Sequence, residues 1–234
     1  MAAPRRRRRP KRYHHGNLKP LFLKVALEVL ESEGLEKLSL RRVSMLVGVS
    51  HSAPYNHFPN RQSLLVALAV EGFGRLFTRM RSATDSVGPG DFFSALGREY
   101  FSFAKENPNL FGLMFSRLVF PFSVYSELRQ VSSEVFETLV EAAGAFADPG
   151  QKAGLSLGER TTVALAAWAL SHGATLLVMN QGIEWEGDTA ESPQDLMDRL
   201  GHSFSAALNL QLSLAERDAE SGEAGGTERP SGSP

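Results

Sequence analysis

The chain has 234 residues, of which 42% are hydrophobic, with a formal net charge of −1 and no cysteine. There is enough apolar material for a folded core, while disulfides, thiolate metal centres and a cysteine nucleophile are excluded. The small net charge conceals an asymmetry: residues 1–61 carry 13 Lys and Arg against 4 Asp and Glu, net +9, and residues 62–234 net −10. A basic quarter on an acidic body is the pattern of a polyanion-binding module joined to a domain with another task.

Seven of the basic residues fall within Arg5–Arg12. This stretch has no apolar residue to fold around and reads as a disordered arm over residues 1–12. It either adds salt-dependent contacts to a polyanion or serves as a solubilising tail. No uninterrupted apolar run comes after it, so the start is not a secretory signal, and the expected location is cytoplasmic.

From Leu18 the apolar positions 18, 21, 22, 25, 26, 29 and 30 predict a one-faced helix that Gly34 stops. Ser39 caps a short second helix, Leu40–Val47, with Leu40, Val43, Leu46 and Val47 expected on one side and Gly48 ending it. Ser50 opens a third helix over 50–58, with Pro54 tolerable near its first turn. Pro59 closes that helix and Asn60 caps a long fourth one running from Arg61 to about Ser82. Further helices are expected near 91–106, 108–117, 122–147, 157–181 and 192–213, separated by Pro- and Gly-containing breaks.

No stretch alternates with period two, so the fold class is all-α. Residues 13–61 are expected to form a small three-helix domain and 62–213 a larger helical one. Residues 214–234, poor in apolar side chains, read as a disordered tail. Thr161–Ile183 holds no charged residue over 23 positions. Its polar interruptions favour a helix buried in the protein or in a subunit interface over a membrane span.

Two short helices joined by Gly48-Val49 are the units of a helix-turn-helix, whose second helix enters the major groove. His51, Ser52, Tyr55, Asn56 and His57 would be its exposed set, able to reach base edges or phosphates. The chain lacks a phosphate-binding Gly-rich loop, His-Glu-x-x-His and Gly-x-Ser-x-Gly, so an enzyme is not expected, nor a cofactor or metal.

The run Leu38–Leu68 resembles the DNA-binding domain of TetR-type regulators. It carries Ser39, Arg41, Gly48-Val49-Ser50, Tyr55, His57-Phe58, Arg61 and Leu64-Leu65 at that family's spacing. Tyr13–Leu18 is similar to the opening of one branch, and Trp168, His172 and Gly173 fit that branch's Trp-x-x-x-His-Gly motif.

The resemblance implies a homodimer on double-stranded operator DNA, most simply a repressor of a palindromic site released by a small-molecule effector. It also implies phosphate contacts from Tyr55, His57 and Arg61, and base contacts from His51, Ser52 and Asn56, with Ser50 at the helix start. Arg41 and Arg42 divide evenly between phosphate contact and a solvated helix face. A ligand-independent DNA-binding or architectural factor, or an activator, is the alternative.

In the C-terminal half an effector needs a cavity with apolar walls and a few polar anchors. Tyr100, Phe111, Met114, Phe115, Tyr125, Trp168 and His172 are the candidates. Small residues on two helices, among them Ala164, Ala167 and Gly173, then Gly201, Ser205 and Ala206, suit a four-helix bundle across a twofold axis.

Overall fold

The computed structural model describes residues 18–147, 154–180 and 192–224. The Arg-rich arm, the Tyr13–Asn17 opening, the break at 148–150, the uncharged run's last residues and the end of the tail lie outside them. Every regular element among the described residues is helical: α1 (Leu18–Glu33), α2 (Leu40–Val47), α3 (Arg61–Asp85), α4 (Phe92–Glu106), α5 (Pro108–Met114), α6 (Ser126–Ala147), α7 (Leu157–Met179) and α8 (Pro193–Ala224). The chain divides into two compact units after Leu68, seven residues beyond the boundary expected at Arg61. The cause is packing: Leu64, Leu65 and Leu68, on the first turns of α3, are buried in the N-terminal unit.

That unit is built on Phe22, Ala26, Val29 and Leu30 of α1, Leu40, Val43 and Val47 of α2, and Phe58, whose ring stacks on Phe22 at 5.4 Å. Gly48 ends α2 at φ +78, where a side chain would be strained, and its N–H donates to the Ser44 carbonyl at 3.0 Å. The Ser39 hydroxyl accepts from the Arg42 N–H, as the predicted cap requires.

One expected core position changes. Leu46 is exposed, and Ser44 is buried in its place. Positions 40, 43, 44 and 47 form the i, i+3, i+4, i+7 stripe, whereas 46 falls on the far side of the helix. The serine tolerates burial because its hydroxyl donates to the Leu40 carbonyl at 2.8 Å.

In the C-terminal unit α4 packs against α8 and α7, and α6 against α7. A Cβ on Gly201 would lie 2.5 Å from the Ser94 Cα, so this glycine lets α8 press onto α4 within one chain. Reciprocal caps open α7 and α8: Ser156 with Glu159, and Ser192 with Asp195. Arg79 of α3 donates to Glu99 at 2.8 Å and Glu106 at 2.6 Å on α4, while Arg81 pairs with Glu141 of α6.

The last helix continues past Leu214, where a disordered tail was expected, to Ala224. The added segment is polar but rich in Ala and Glu, which favour helix without needing a core to pack on.

Candidate functional site

The segment expected as a recognition helix over 50–58 is shorter and tighter: a single 3-10 turn, Ala53–Asn56. Pro54 explains this, because it supplies no N–H and disfavours helical geometry in the residue before it. The turn closes through Tyr55 N–H to the Ser52 carbonyl at 3.3 Å and His57 N–H to the Pro54 carbonyl at 2.9 Å. Pro54 and Phe58 point inward, so His51, Ser52, Tyr55, Asn56 and His57 are left exposed together. The Ser50 and Ser52 hydroxyls share a hydrogen bond at 3.2 Å.

The three arginines of this unit differ. Arg42 is held by Glu33, with Nη2 to Oε1 at 2.7 Å. Arg41 is exposed and makes no ion pair among the described residues. Arg61 donates from Nε to the Leu38 carbonyl at 3.1 Å and from Nη2 to the Leu35 carbonyl at 2.9 Å, tying the start of α3 to the α1–α2 loop. Asn60 caps α3 as predicted, its Oδ1 accepting from the Ser63 N–H.

The C-terminal unit holds a cavity of about 280 Å³, near the ~300 Å³ lower end for small-molecule sites. It is lined by Phe73 and Met80 of α3, Tyr100 of α4, Phe115, Phe122, an α6 face from Ser132 to Leu139, and Trp168 of α7. Of the residues expected there, Tyr100, Phe115 and Trp168 line it.

The other four lie elsewhere. His172 sits behind Tyr100, its Nδ1 2.7 Å from the phenol oxygen, which also accepts from Trp168 Nε1 at 3.3 Å. Phe111 packs edge-on to the Tyr100 ring, Met114 lies against Gly72, and Tyr125 is not in the lining.

Burial pushes the Tyr100 phenol well above its ordinary range, the Trp168 bond offsetting it only in part. Burial likewise holds the His172 imidazole below its usual value, so both are neutral near pH 7. The α3 and α6 contributions went unseen in the sequence. A signal existed: Phe73 and Met80 are seven apart on one helix face, and Ser132, Phe136 and Leu139 repeat at helical spacing.

α7 is long and apolar enough to cross a membrane by length and composition, yet only 17% of its most apolar window is buried. Ala164, Ala167 and Thr175 face inward, while Leu165, Leu176 and Leu177 are exposed, as are Leu210 and Leu214 of α8. Of the small residues expected between subunits, Ala164, Ala167, Gly201 and Ser205 are therefore used inside the chain, and it is leucines that are left uncovered. Among the described residues, no cluster of His, Asp and Glu could hold a metal ion.

Comparison with known proteins places these two units. The family described as bacterial regulatory proteins, tetR family, matches residues 22–68, and the tetracyclin repressor-like C-terminal domain matches residues 93–200. The uncharacterized HTH-type transcriptional regulator YobS of Bacillus subtilis (strain 168) is 27% identical over 180 residues, 76% of this chain and 87% of its own. A protein of unknown function from Rhodococcus sp. RHA1 superposes with a TM-score of 0.70 at 29% identity, over 85% of this chain and 98% of that one. A TetR/AcrR-family transcriptional regulator from Thermobifida fusca shares the fold at a TM-score of 0.59 and 18% identity, over 81% of this chain and 97% of its own.

Proposed function

The chain belongs to the TetR family of bacterial regulatory proteins, and from that membership we propose a homodimeric, cytoplasmic repressor that an effector releases from a palindromic operator. The observation that carries the release step is α3, unbroken from Arg61 to Asp85. Its first turns carry the Arg61 tie to the α1–α2 loop, and Phe73 and Met80, farther along, form cavity wall. A ligand that fills the cavity presses on Phe73 and Met80. The same helix continues into the unit that reads DNA and is the path by which that displacement reaches it.

On DNA, Tyr55 and His57 contact phosphates, and His51, Ser52 and Asn56 meet base edges from the short turn. Ser50 holds the start of that turn through Ser52. Arg41, without an ion pair among the described residues, is the free phosphate contact. Arg42 is already neutralised by Glu33, and Arg61 lends positive charge to the start of α3 while bracing the loop. One such turn has a small footprint, so two copies on two half-sites are needed. The uncovered leucines of α7 and α8 suit burial against a second copy in a four-helix bundle.

Selection of bound sequences from random duplexes, with sedimentation of the full chain, tests this reading. An inverted repeat and a dimer are expected. A single asymmetric site bound by a monomer overturns it.

A further inference from the structure

The cavity has a chemistry more specific than its size, and the class of effector it selects rests on its being the effector site. Its aromatic residues form a continuous series: Phe122 to Phe73 at 5.3 Å between ring centres, Phe73 to Phe115 at 5.4 Å, Phe115 to Trp168 at 6.3 Å, and Trp168 to Phe136 at 6.0 Å. Apart from the Ser133 hydroxyl, which is exposed, the polar groups of the lining other than Glu137 are already committed. The Trp168 N–H donates to the Tyr100 hydroxyl, which is also paired with His172 Nδ1, and the Ser132 hydroxyl donates to the Arg129 carbonyl at 3.1 Å.

Glu137 is the one charged residue in the lining. It differs from its neighbours on α6, for Glu134 accepts from Gln130 and Glu141 is paired with Arg81. Among the described residues Glu137 has no hydrogen-bond or ion-pair partner, and it is exposed, which places it at the rim. An anionic ligand would give up its hydration here and meet no cation in the lining, only the exposed Ser133 hydroxyl and the like charge of Glu137. A positive charge would meet a free carboxylate, and ring faces attract cations once water is excluded.

We infer that the effector is a compact lipophilic cation, its apolar body among the Phe73, Phe115, Phe136 and Trp168 rings and its positive charge at the Glu137 carboxylate.

The test uses the full-length protein and three probes of nearly one shape, titrated calorimetrically: N-methylquinolinium, methylnaphthalene and naphthoate. The cation should bind about ten-fold more tightly than the neutral compound, with naphthoate the weakest. In Glu137→Gln the advantage of the cation should vanish while methylnaphthalene binds as before, and in Phe136→Ala both should weaken. Raising the salt concentration should narrow the gap in the unaltered protein.

Equal affinity for cation and neutral probe, or a cation preference that survives in Glu137→Gln, overturns the charge assignment and leaves the cavity standing as an effector site. Failure of all three probes to bind overturns both.

Discussion

In the N-terminal unit the side chains of His51, Ser52, Tyr55, Asn56 and His57 stand exposed on one short turn, with the core side chains Pro54 and Phe58 directed away from them. In the C-terminal unit Tyr100, Trp168 and His172 stand among aromatic rings and spend their polar atoms on one another. The first surface offers hydrogen bonds to an outside partner at little desolvation cost. The second has spent most of its inner polar groups on one another, which leaves shape, apolar contact and the single charge at its rim as the main means of selecting a ligand. The proposed function uses both, because one partner is a hydrated polyanion and the proposed effector must be drawn out of water.

The sharpest way to break this contrast is to remove the frame beneath the exposed turn. Phe58→Ala deletes a ring that is 1% exposed and stacked on Phe22. It should cost about 3–5 kcal/mol of stability in the N-terminal unit and abolish operator binding. Urea unfolding followed alongside probe binding by the cavity should show the second property retained; loss of both would mean that the two sites are not separable. Tyr55→Ala leaves the core intact and should weaken operator affinity roughly ten-fold or more, the range of one charge-assisted hydrogen bond. Fluorescence anisotropy with unchanged affinity would remove Tyr55 from the DNA surface.

These two units were not equally legible. In the N-terminal one the decisive signals are local: the Ser39 cap, Gly48 in its left-handed turn, and Pro59-Asn60 before α3 all act on their neighbours in the chain. The misreadings there were also local. Leu46 looked like core because it is apolar, but its angle around α2 turns it out, and Pro54 shortened a helix whose pattern suggested nine residues. The cavity gathers residues from Phe73 to Trp168, brought together only by tertiary packing. Aromatic density pointed to α4, α5 and the residue after it and so found Tyr100 and Phe115, but it passed over α6, where one aromatic, Phe136, stands among serines, aliphatics and Glu137. Beyond Leu214 a lack of apolar residues suggested disorder, where helix propensity sufficed.

The internal pairing in the cavity wall can be sharpened by a smaller change. Tyr100→Phe keeps the ring and removes the hydroxyl that Trp168 and His172 share. Leaving their nitrogens without this partner should cost about 1–3 kcal/mol, with operator affinity in the absence of ligand unaltered. Chemical denaturation showing no loss would mean that the trio is incidental to the wall. The histidine adds a pH dependence of its own. Burial lowers its folded-state value below the ordinary 6.5, so the unfolded chain takes up this proton first. The associated stability is therefore complete above about pH 6.5 and is lost as pH falls through the lower folded value. Melting between pH 5 and 8 should show that slope, and His172→Asn should flatten it.

The smallest expected effect separates two adjacent arginines. Arg41 makes no ion pair among the described residues, whereas Arg42 is bound to Glu33 through two nitrogens, at 3.2 and 2.7 Å. A free guanidinium that meets a phosphate releases a counterion. One already neutralised by a carboxylate releases little, because its charge contributes weakly to the field that DNA meets. Arg41→Ala should therefore reduce the slope of log affinity against log salt by about one unit, and Arg42→Ala by clearly less. Glu33→Gln should make the two arginines alike and steepen the slope. Equal slopes for the two alanine variants would show that the Glu33 pair opens on DNA, making both arginines phosphate ligands. The distinction between committed and uncommitted polar groups would then hold for the cavity but not for the surface that reads the operator.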